Sequence, residues 1–389
     1  MIRLIALISL LSVSATELQA QIYRLPPPDT LSGNYFGTSV AIDGARAVIG
    51  ATGEDACGSN SGAAFVYEIA ESGEWAQAAR LIPKDCREGY FFGKSVALEN
   101  DRILVSAYRT FVNRSISNAV YVFEKGDEGW KQTARLTSPD NDKTGPFGSS
   151  IAMDKDRILI TSAGDAAGAT MNGVGFIFEK NRRGKWKVAA SLIAGLSPRA
   201  GVMGTASALD GNRAAIVGST YSRDRPGVLY VFDFDTEDQT WYQTGAVRGI
   251  RDFLISVDVS GENVIVGEGK SGTDGSGRAR IFTEVDGIWT TVATLTPSVP
   301  YAYGGFGSNV SIDGSVALVS GFDEQLELDI NVDQVVYVFT SESGAWTQRR
   351  IVDMGQTAFG RAIDIKDGLA LIGQPSESSP GQAYVVRIN

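Results

Sequence analysis

The sequence predicts an all-β fold, a seven-bladed β-propeller of four-stranded antiparallel blades. A unit of about fifty residues recurs seven times along a chain of 389 residues. Each complete unit contains four short apolar segments separated by turn residues. The last unit ends before its fourth segment, and a matching segment stands at the N-terminal end of the chain. Stacked blades bury the faces that a single blade leaves open, so the number of copies sets the ring size.

The first unit, residues 36–85, shows each element of a blade. Thr38 to Ile42 alternates apolar with small or polar residues, which is typical of a half-buried strand. Asp43-Gly44 then predicts a tight hairpin turn. Three more apolar segments predict the second, third and fourth strands at 46–51, 62–69 and 75–81. A long polar loop separates the second strand from the third.

Two positions of the unit repeat in fixed order. A Phe-Gly pair or its equivalent opens the first strand at Phe36, Phe92, Phe147, Met203, Phe253, Phe306 and Phe359. A tryptophan opens the fourth strand at Trp75, Trp130, Trp186, Trp241, Trp289 and Trp346. Because the tryptophans hold one place in each blade, we expect them to pack between blades and not to form a sugar-stacking surface.

The N-terminal segment predicts how the ring closes. Residues 22–29 (IYRLPPPD) match residues 133–140 (TARLTSPD), which end the second unit. Leu25 precedes Phe36 by 11 positions, and the same spacing separates the corresponding residues in four other units. We therefore expect the N-terminal segment to form the outer strand of the last blade and to remove a loose sheet edge.

Residues 1–20 have the pattern of a secretory signal peptide. A short basic start at Arg3 is followed by the apolar run 4–13 and by small residues up to Ala20. The run is too short to span a bilayer. The chain thus divides into a signal peptide, 1–20, and one propeller domain, 21–389. We expect the mature protein outside the cell or on its surface, with a periplasm as the alternative.

The two cysteines lie in connections that leave the first blade on the same side. Cys57 is in the loop between the second and third strands, and Cys86 is in the link to the next blade. A disulfide between them is geometrically reasonable, and export would supply an oxidising compartment. Two free surface thiols are the alternative.

The composition argues against several classes of function. The chain has no histidine, which removes the usual general base and the commonest zinc ligand. Neither a phosphate-cradling loop nor a dinucleotide-binding glycine motif is present. The net charge of −10 disfavours nucleic acid and anionic membrane surfaces as partners. We expect a non-catalytic monomer.

Non-repeating aromatic residues in the loops are the candidates for a binding surface, because loops on a rigid scaffold commonly carry function. These residues are Tyr108, Phe111, Tyr221, Tyr301, Tyr303 and Phe322. All of them are expected on the side of the ring that carries the loops between second and third strands. The expected partner is an extracellular protein or glycan.

Carboxylates in the same loops are candidates for binding Ca²⁺. The densest run, residues 323–333, contains Asp323, Glu324, Glu327 and Asp329. A second acidic cluster, DFDTED at 233–238, is expected on the opposite side of the ring. A solvated acidic rim is the alternative to a metal site. Turn chemistry alone accounts for the Asp-Gly pairs between first and second strands.

The repeated pattern Phe-Gly-x-Ser-Val-Ala, a turn, then Val-Ile-Gly-Ala resembles the FG-GAP repeat. The closest copies are residues 36–52 (FGTSVAIDGARAVIGAT) and 359–375 (FGRAIDIKDGLALIGQP). The resemblance covers residues 22–389 and implies the seven-bladed propeller of integrin α subunits, which bacterial secreted and surface proteins also carry. In that family, calcium-binding blades have a loop with the motif Asp-x-Asp-x-Asp-Gly between the first two strands. Here that loop is shortened, so the resemblance implies no calcium at these turns.

Two functions are compatible with these features, since a propeller serves many purposes. The first is an exported, non-catalytic binding or structural module that contacts its partner through the loop side of the ring. The alternative is a carbohydrate-active lyase or hydrolase that uses Asp, Glu, Tyr and Arg side chains of the same loops. The arginines in question are Arg109, Arg114, Arg223 and Arg225.

Overall fold

The computed structural model describes residues 22–27, 33–107, 118–139, 145–163, 173–194, 202–219, 227–250, 255–269, 275–299, 304–322, 334–355 and 358–388. Within these ranges the regular secondary structure is β-strand throughout. The strands form seven sheets, and each sheet contains four antiparallel strands. The predicted all-β, seven-bladed fold is confirmed.

The first three blades are consecutive meanders whose strands are hydrogen-bonded in chain order. Blade 1 contains β2 (Phe36–Asp43), β3 (Arg46–Ala51), β4 (Ala63–Ile69) and β5 (Trp75–Leu81). Blade 2 contains β6 (Phe92–Glu99), β7 (Arg102–Ala107), β8 (Ala119–Gly126) and β9 (Gly129–Thr137). Blade 3 contains β10 (Phe147–Asp154), β11 (Arg157–Ser162), β12 (Val174–Lys180) and β13 (Trp186–Leu192).

Blades 4 to 6 repeat this order, and blade 7 differs in the origin of its outer strand. Blade 4 contains β14 (Val202–Asp210), β15 (Arg213–Ser219), β16 (Gly227–Asp235) and β17 (Thr240–Ile250). Blade 5 contains β18 (Ile255–Ser260), β19 (Asn263–Glu268), β20 (Arg278–Val285) and β21 (Ile288–Leu295). Blade 6 contains β22 (Val310–Asp313), β23 (Val316–Phe322), β24 (Gln334–Glu342) and β25 (Ala345–Val352). Blade 7 contains β26 (Ala362–Lys366), β27 (Leu369–Gln374), β28 (Gln382–Arg387) and β1 (Ile22–Leu25).

The N-terminal strand completes the last blade, as the sequence predicts. Strand β1 runs antiparallel to β28, with Leu25 opposite Ala383. Leu25 is fully buried in a cluster that joins the first and last blades and contains Phe36 and Leu371. The first strands of successive blades contact one another around the axis, and β26 contacts β2 in the same way. The two ends of the chain therefore meet in one blade, and the ring is closed by side-chain packing.

The Phe-Gly pair fixes the inner corner of a blade, as blade 2 shows, whereas Phe253 of blade 5 lies outside the described residues. Phe92 is fully buried and meets Tyr121 and Phe123 of the third strand edge-on, with ring centroids 5.6 and 6.1 Å apart. Gly93 has a φ of 94°, a left-handed conformation that side chains rarely adopt. The aromatic ring thus anchors the strand in the core while the glycine turns the backbone.

The glycine of the Val-Ile-Gly-Ala segment marks the closest approach between blades. A Cβ atom at Gly50 would overlap the carbonyl oxygen of Gly93 in the next blade. The same close approach recurs at Gly267 with Gly307 and at Gly373 with Gly37. Thr161 stands at the corresponding position of blade 3, and its hydroxyl donates a hydrogen bond of 2.9 Å to the carbonyl oxygen of Gly204. Both solutions join the second strand of one blade to the first strand of the next.

The six tryptophans pack between blades, as predicted, although each remains half-buried. In four interfaces an arginine that opens a second strand lies over the tryptophan of the following blade. The pairs are Arg46 with Trp130, Arg102 with Trp186, Arg157 with Trp241 and Arg213 with Trp289. An arginine placed over an indole ring is attracted by the ring's negative face. The tryptophans therefore belong to the blade interfaces and are not available as a sugar-stacking surface.

Candidate functional site

The ring has two sides that differ in what they carry. The turns between first and second strands and between third and fourth strands lie on one side, which we call the hairpin side. The loops between second and third strands and the links between blades lie on the other, which we call the loop side. The best-described part of the loop side consists of residues 52–62 of blade 1 and residues 82–92 of the link to blade 2. We call these two segments together the platform.

A disulfide joins the two segments of the platform, as the sequence predicts. Cys57 and Cys86 are bonded, with their Cα atoms 6.0 Å apart. Backbone hydrogen bonds run beside this bond along the same two segments. The amides of Gly89, Phe91 and Phe92 donate to the carbonyl oxygens of Ser59, Asn60 and Ser61 at 2.8, 3.0 and 3.1 Å. The platform is therefore held as a paired ribbon.

A network of side chains fixes the link segment to blade 2. The Asp85 carboxylate accepts hydrogen bonds from the hydroxyls of Tyr121 at 2.8 Å and Tyr90 at 3.3 Å. Arg135 forms an ion pair of 3.1 Å with Asp85. The guanidinium of Arg87 donates to the Tyr90 hydroxyl at 3.2 Å. Burial, followed by the hydrogen bonds with Tyr90 and Asp85, raises the pKa of Tyr121, and the hydrogen bond with Arg135 opposes that rise.

The blade 1 segment of the platform is anchored from below by a second ion pair. Glu54 is buried and pairs with Arg80 of the fourth strand. The Ser61 hydroxyl donates to the Glu54 backbone carbonyl and accepts from the Cys57 amide. The exposed charged residues above these anchors are Asp55, Lys84, Arg87 and Glu88. The platform thus presents charges of both signs on a backbone that is tied down from several directions.

Most of the aromatic residues predicted to form a binding surface lie outside the described residues. These are Tyr108, Phe111, Tyr221, Tyr301 and Tyr303. Phe322 is described and is half-buried at the end of β23, where its ring lies against Gly305. Its backbone carbonyl accepts a hydrogen bond of 2.9 Å from the Tyr337 hydroxyl. Phe322 is therefore only partly available to a partner.

Of the carboxylates predicted as Ca²⁺ ligands, some lie outside the described residues and others lie within them. Asp323, Glu324, Glu327 and Asp329 lie outside the described residues. In the DFDTED hairpin, Asp233 pairs with Arg213 at 2.7 Å and Asp238 accepts from the Tyr242 hydroxyl. Among the described residues, no three Asp, Glu or Cys side chains stand close enough together to hold a metal ion.

One glycosylation sequon, Asn309-Val310-Ser311, falls in the interior of the ring. The Asn309 amide donates to the Ser320 hydroxyl and to the Gly360 carbonyl oxygen of the next blade, both at 3.2 Å. Ser311 is buried. The side chain that would carry the glycan is therefore used in a blade interface of the folded protein.

The aspartates that end first strands on the hairpin side do more than turn the chain. The Asp210 carboxylate accepts a hydrogen bond of 2.6 Å from the Gly261 amide in the turn of the next blade. Asp154 accepts from Gly211 at 2.9 Å, and Asp313 accepts from Asp367 at 2.7 Å. The expectation that turn chemistry alone explains these aspartates is thus incomplete, because each one also ties its blade to its neighbour.

A polar triad breaks an otherwise apolar position around the axis. Blades 1 to 4 place Ala41, Ala97, Ala152 and Ala208 at this position of the first strand, and blades 5 to 7 place Asp258, Ser311 and Asp364 there. The Ser311 hydroxyl lies 2.9 Å from Asp258 Oδ2 and 3.4 Å from Asp364 Oδ1. Burial, then the charge of Asp364, raises the pKa of Asp258 to about 7. Sequence reasoning missed this triad, although the change from Ala to Asp within the repeat alignment was a visible signal.

The geometry defines a seven-bladed propeller. Its blades meet closely at second-strand glycines, and they are joined by the turn carboxylates and by arginines that lie over tryptophans of the next blade. Three stretches of the chain, residues 20–67, 75–123 and 130–178, match the FG-GAP repeat family. The chain therefore carries FG-GAP repeats in these three stretches. No curated protein gives a significant match to it. Among the described residues, no helix is long and apolar enough to cross a membrane.

Proposed function

We propose that this protein is an exported, non-catalytic recognition module that binds a protein or a glycan through the loop side of its propeller. FG-GAP propellers are generally binding or structural modules, which gives the class of function. The disulfide of the platform is compatible with an extracellular protein. The signal-peptide pattern of residues 1–20 in the sequence supports the same location.

The observation that carries the proposal is the platform itself. Its two segments are joined by a disulfide and by three backbone hydrogen bonds, and they are anchored by the Asp85 network. A surface ordered before binding loses little conformational entropy when a partner arrives. The exposed charges of Asp55, Lys84, Arg87 and Glu88 suit the polar rim of a recognition surface.

The non-catalytic part of the proposal is supported by the composition of the chain, which has no histidine to serve as the usual general base. A carbohydrate-active enzyme that uses loop residues outside the described ranges is the alternative. Release of new reducing or unsaturated ends from any polysaccharide in a panel would establish that alternative.

We also propose that any bound Ca²⁺ is held by the acidic run 323–333 and not by the turns on the hairpin side. In the described turns, Asp43, Asp154, Asp210 and Asp313 each accept a backbone amide of the next blade. A thermal melt in EDTA and then in millimolar Ca²⁺ tests this proposal, because a ligand that binds only the folded state raises Tm. A rise that D323N/D329N abolishes supports it, and a rise that survives these changes contradicts it.

The loop-side proposal is tested with paired charge-reversal variants and a panel of extracellular proteins and glycans. Arg87→Glu and Glu88→Arg change the platform, and Arg182→Glu makes the same type of change in an exposed hairpin residue on the other side. A second set replaces Tyr108 and Phe111 by Ala. We expect platform or aromatic variants to weaken binding of any identified partner at least tenfold, with Arg182→Glu unchanged. Thermal melts verify that all variants remain folded.

Two results would contradict this function. One is a partner that binds all loop-side variants as tightly as the wild type. The other is a partner whose binding is lost in Arg182→Glu alone, which would move the recognition surface to the hairpin side.

A further inference from the structure

The triad Asp258–Ser311–Asp364 lies across the part of the ring where the chain closes. Each member reaches from its own blade to the first strand of the next. Asp258 Oδ2 accepts the Ile312 amide at 2.8 Å, and Ser311 Oγ accepts the Ile365 amide at 3.2 Å. Asp364 Oδ2 accepts the Ile42 amide of blade 1 at 2.8 Å. These bonds connect blades 5, 6, 7 and 1 in sequence, and the last one crosses from the C-terminal to the N-terminal end of the chain.

A count of hydrogen atoms shows that the triad is one proton short when both carboxyls are ionised. Ser311 has a single hydroxyl hydrogen, and the shorter contact, 2.9 Å, is to Asp258 Oδ2. The contact of 3.4 Å between Ser311 Oγ and Asp364 Oδ1 then lacks a hydrogen. One added proton on either carboxyl supplies it, because a protonated carboxyl can donate to the hydroxyl oxygen while the hydroxyl donates to the other carboxylate.

The surroundings of the pair favour that proton. Both residues are half-buried in the first strands of their blades. Burial is the largest cause that raises the pKa of each one, and the charge of Asp364 adds to it at Asp258. The hydrogen bonds that each carboxyl accepts from Ser311 and from backbone amides lower its pKa but do not outweigh these causes. Two like charges that share one hydrogen-bond partner titrate as a pair, not as independent groups.

Few charged groups on the packed strands oppose this effect. Lys366 on β26 is the nearby cation, and it lowers the pKa of Asp364. Burial lowers the pKa of Lys366, but the charges of Asp313, Asp210, Asp367 and Asp43 outweigh its burial and raise that pKa. At the strand ends, Arg213 on β15 pairs with Asp233, and Glu268 on β19 pairs with Arg278 and Arg280.

We propose that Asp258, Ser311 and Asp364 form a proton-binding site that fastens the closure of the propeller, so that one proton held between the two carboxyls keeps blades 5, 6, 7 and 1 together. Loss of the proton leaves two ionised carboxylates around a single hydroxyl hydrogen. The resulting repulsion acts across the blade interfaces that these side chains otherwise join. The free energy of unfolding is then higher under mildly acidic conditions than under alkaline ones.

The sign of the effect follows from proton linkage. The folded state holds a proton at a pH where an unfolded aspartate, with a pKa near 3.9, has lost it. Unfolding therefore releases about one proton between about pH 4 and pH 7, and the unfolding constant rises about tenfold per pH unit in that window. The stabilisation is complete below the unfolded pKa and is lost as pH rises through the folded one.

Denaturant unfolding of the full protein at a series of pH values measures this proton. The variants are Asp258→Asn and Asp364→Asn, and Asp127→Asn, an exposed hairpin residue, is the matched control. We expect the wild type and Asp127→Asn to release about one proton more than either triad variant. An equal release in all four proteins, or none in the wild type, would overturn the proposal.

Two measurements on the folded protein avoid dependence on how well the variants fold. Infrared difference spectra between mildly acidic and alkaline pH should contain the carbonyl band of a protonated carboxyl in the wild type and lose it in both triad variants. The comparison with variants is needed because burial also raises the pKa of Glu99. Hydrogen exchange, corrected for intrinsic rates, should accelerate at alkaline pH in peptides from β2 and β26 more than in peptides from β6 and β10. Uniform exchange around the ring would contradict the proposal that the interfaces between blades 5, 6, 7 and 1 depend on the proton.

Discussion

Single atoms at the blade interfaces decide which residues this repeat tolerates. Gly50 and Gly126 illustrate the point, because neither has a left-handed backbone but their surroundings differ. A Cβ at Gly50 would meet the backbone of the next blade, and a Cβ at Gly126 would meet open space. Backbone atoms cannot move aside as the end of a long side chain can, so the cost of a methyl group depends on this contact and not on glycine itself.

We expect Gly50→Ala to lower the free energy of unfolding by about 3 kcal/mol or more, since it overpacks the interface against backbone. Gly126→Ala should leave stability unchanged or raise it by up to about 1 kcal/mol, through the lower entropy of the unfolded chain. Urea unfolding of the two variants measures both effects. Equal losses in the two proteins would show that the blades do not approach as closely as described here.

A second residue-scale prediction concerns Ala358, which precedes the Phe-Gly pair of blade 7 with a φ of 63°. Gly305 holds the same place in blade 6 with a φ of 59°. A left-handed conformation costs a residue with a Cβ about 1–2 kcal/mol, and glycine avoids that cost while gaining entropy in the unfolded state. We therefore expect Ala358→Gly to be neutral or stabilising by up to about 1 kcal/mol in a urea melt, in contrast to most glycine substitutions. A loss of stability greater than about 1 kcal/mol would contradict the view that Ala358 is strained.

At the scale of elements, the platform depends on a covalent bond and on hydrogen bonds that act in parallel. The disulfide between Cys57 and Cys86 spans 29 positions of sequence. The backbone hydrogen bonds of Gly89, Phe91 and Phe92 hold the same segments without it. Removal of the disulfide should therefore act mainly by raising the conformational entropy of the unfolded chain, and it should change the folded geometry of the platform little.

We expect Cys57→Ser/Cys86→Ser to lower the free energy of unfolding by up to about 3.5 kcal/mol on the chain-entropy model. Urea unfolding of the variant and of the wild type with reductant should agree with each other. Partner binding should fall much less than stability does. If the double variant binds as poorly as Arg87→Glu/Glu88→Arg, the disulfide itself shapes the recognition surface.

At the scale of the whole molecule, the ring depends on an N-terminal segment that carries a full share of one blade. Leu25 is fully buried and corresponds to Leu136 in blade 2, which is also buried. Truncation of either side chain removes similar contacts and leaves a similar cavity. We expect Leu25→Ala and Leu136→Ala each to cost about 2–5 kcal/mol in chemical unfolding. A negligible effect of Leu25→Ala alone would mean that the last blade is stable without β1.

The pH dependence of the whole molecule should have two separate parts. Neighbouring cations outweigh burial and lower the pKa of Glu68 and of Glu124, and a lowered carboxyl pKa stabilises the fold above the unfolded pKa. That stabilisation is lost as pH falls through the folded pKa values, below about pH 4.5. Glu124→Gln should make acid unfolding less steep without altering the loss of stability that the Asp258 pair causes between about pH 4 and pH 7. Thermal melts across the pH range would separate the two carboxyl groups from the Asp258 pair.

The sequence by itself determined the all-β class, the number of blades and the contribution of residues 22–25 to the last blade, and it favoured the pairing of Cys57 with Cys86 over two free thiols. These features follow from local periodicity, turn residues and spacing, which are properties of neighbours along the chain. Only the tertiary structure showed that Gly50 meets Gly93, that turn aspartates cap the next blade and that Asp258 and Asp364 share Ser311. These contacts join residues about 40 to 110 positions apart, and they arise when blades stack around the axis. The repeat pattern identifies each of these residues, but it does not show which of them come into contact. That is decided when the blades stack and the ring closes.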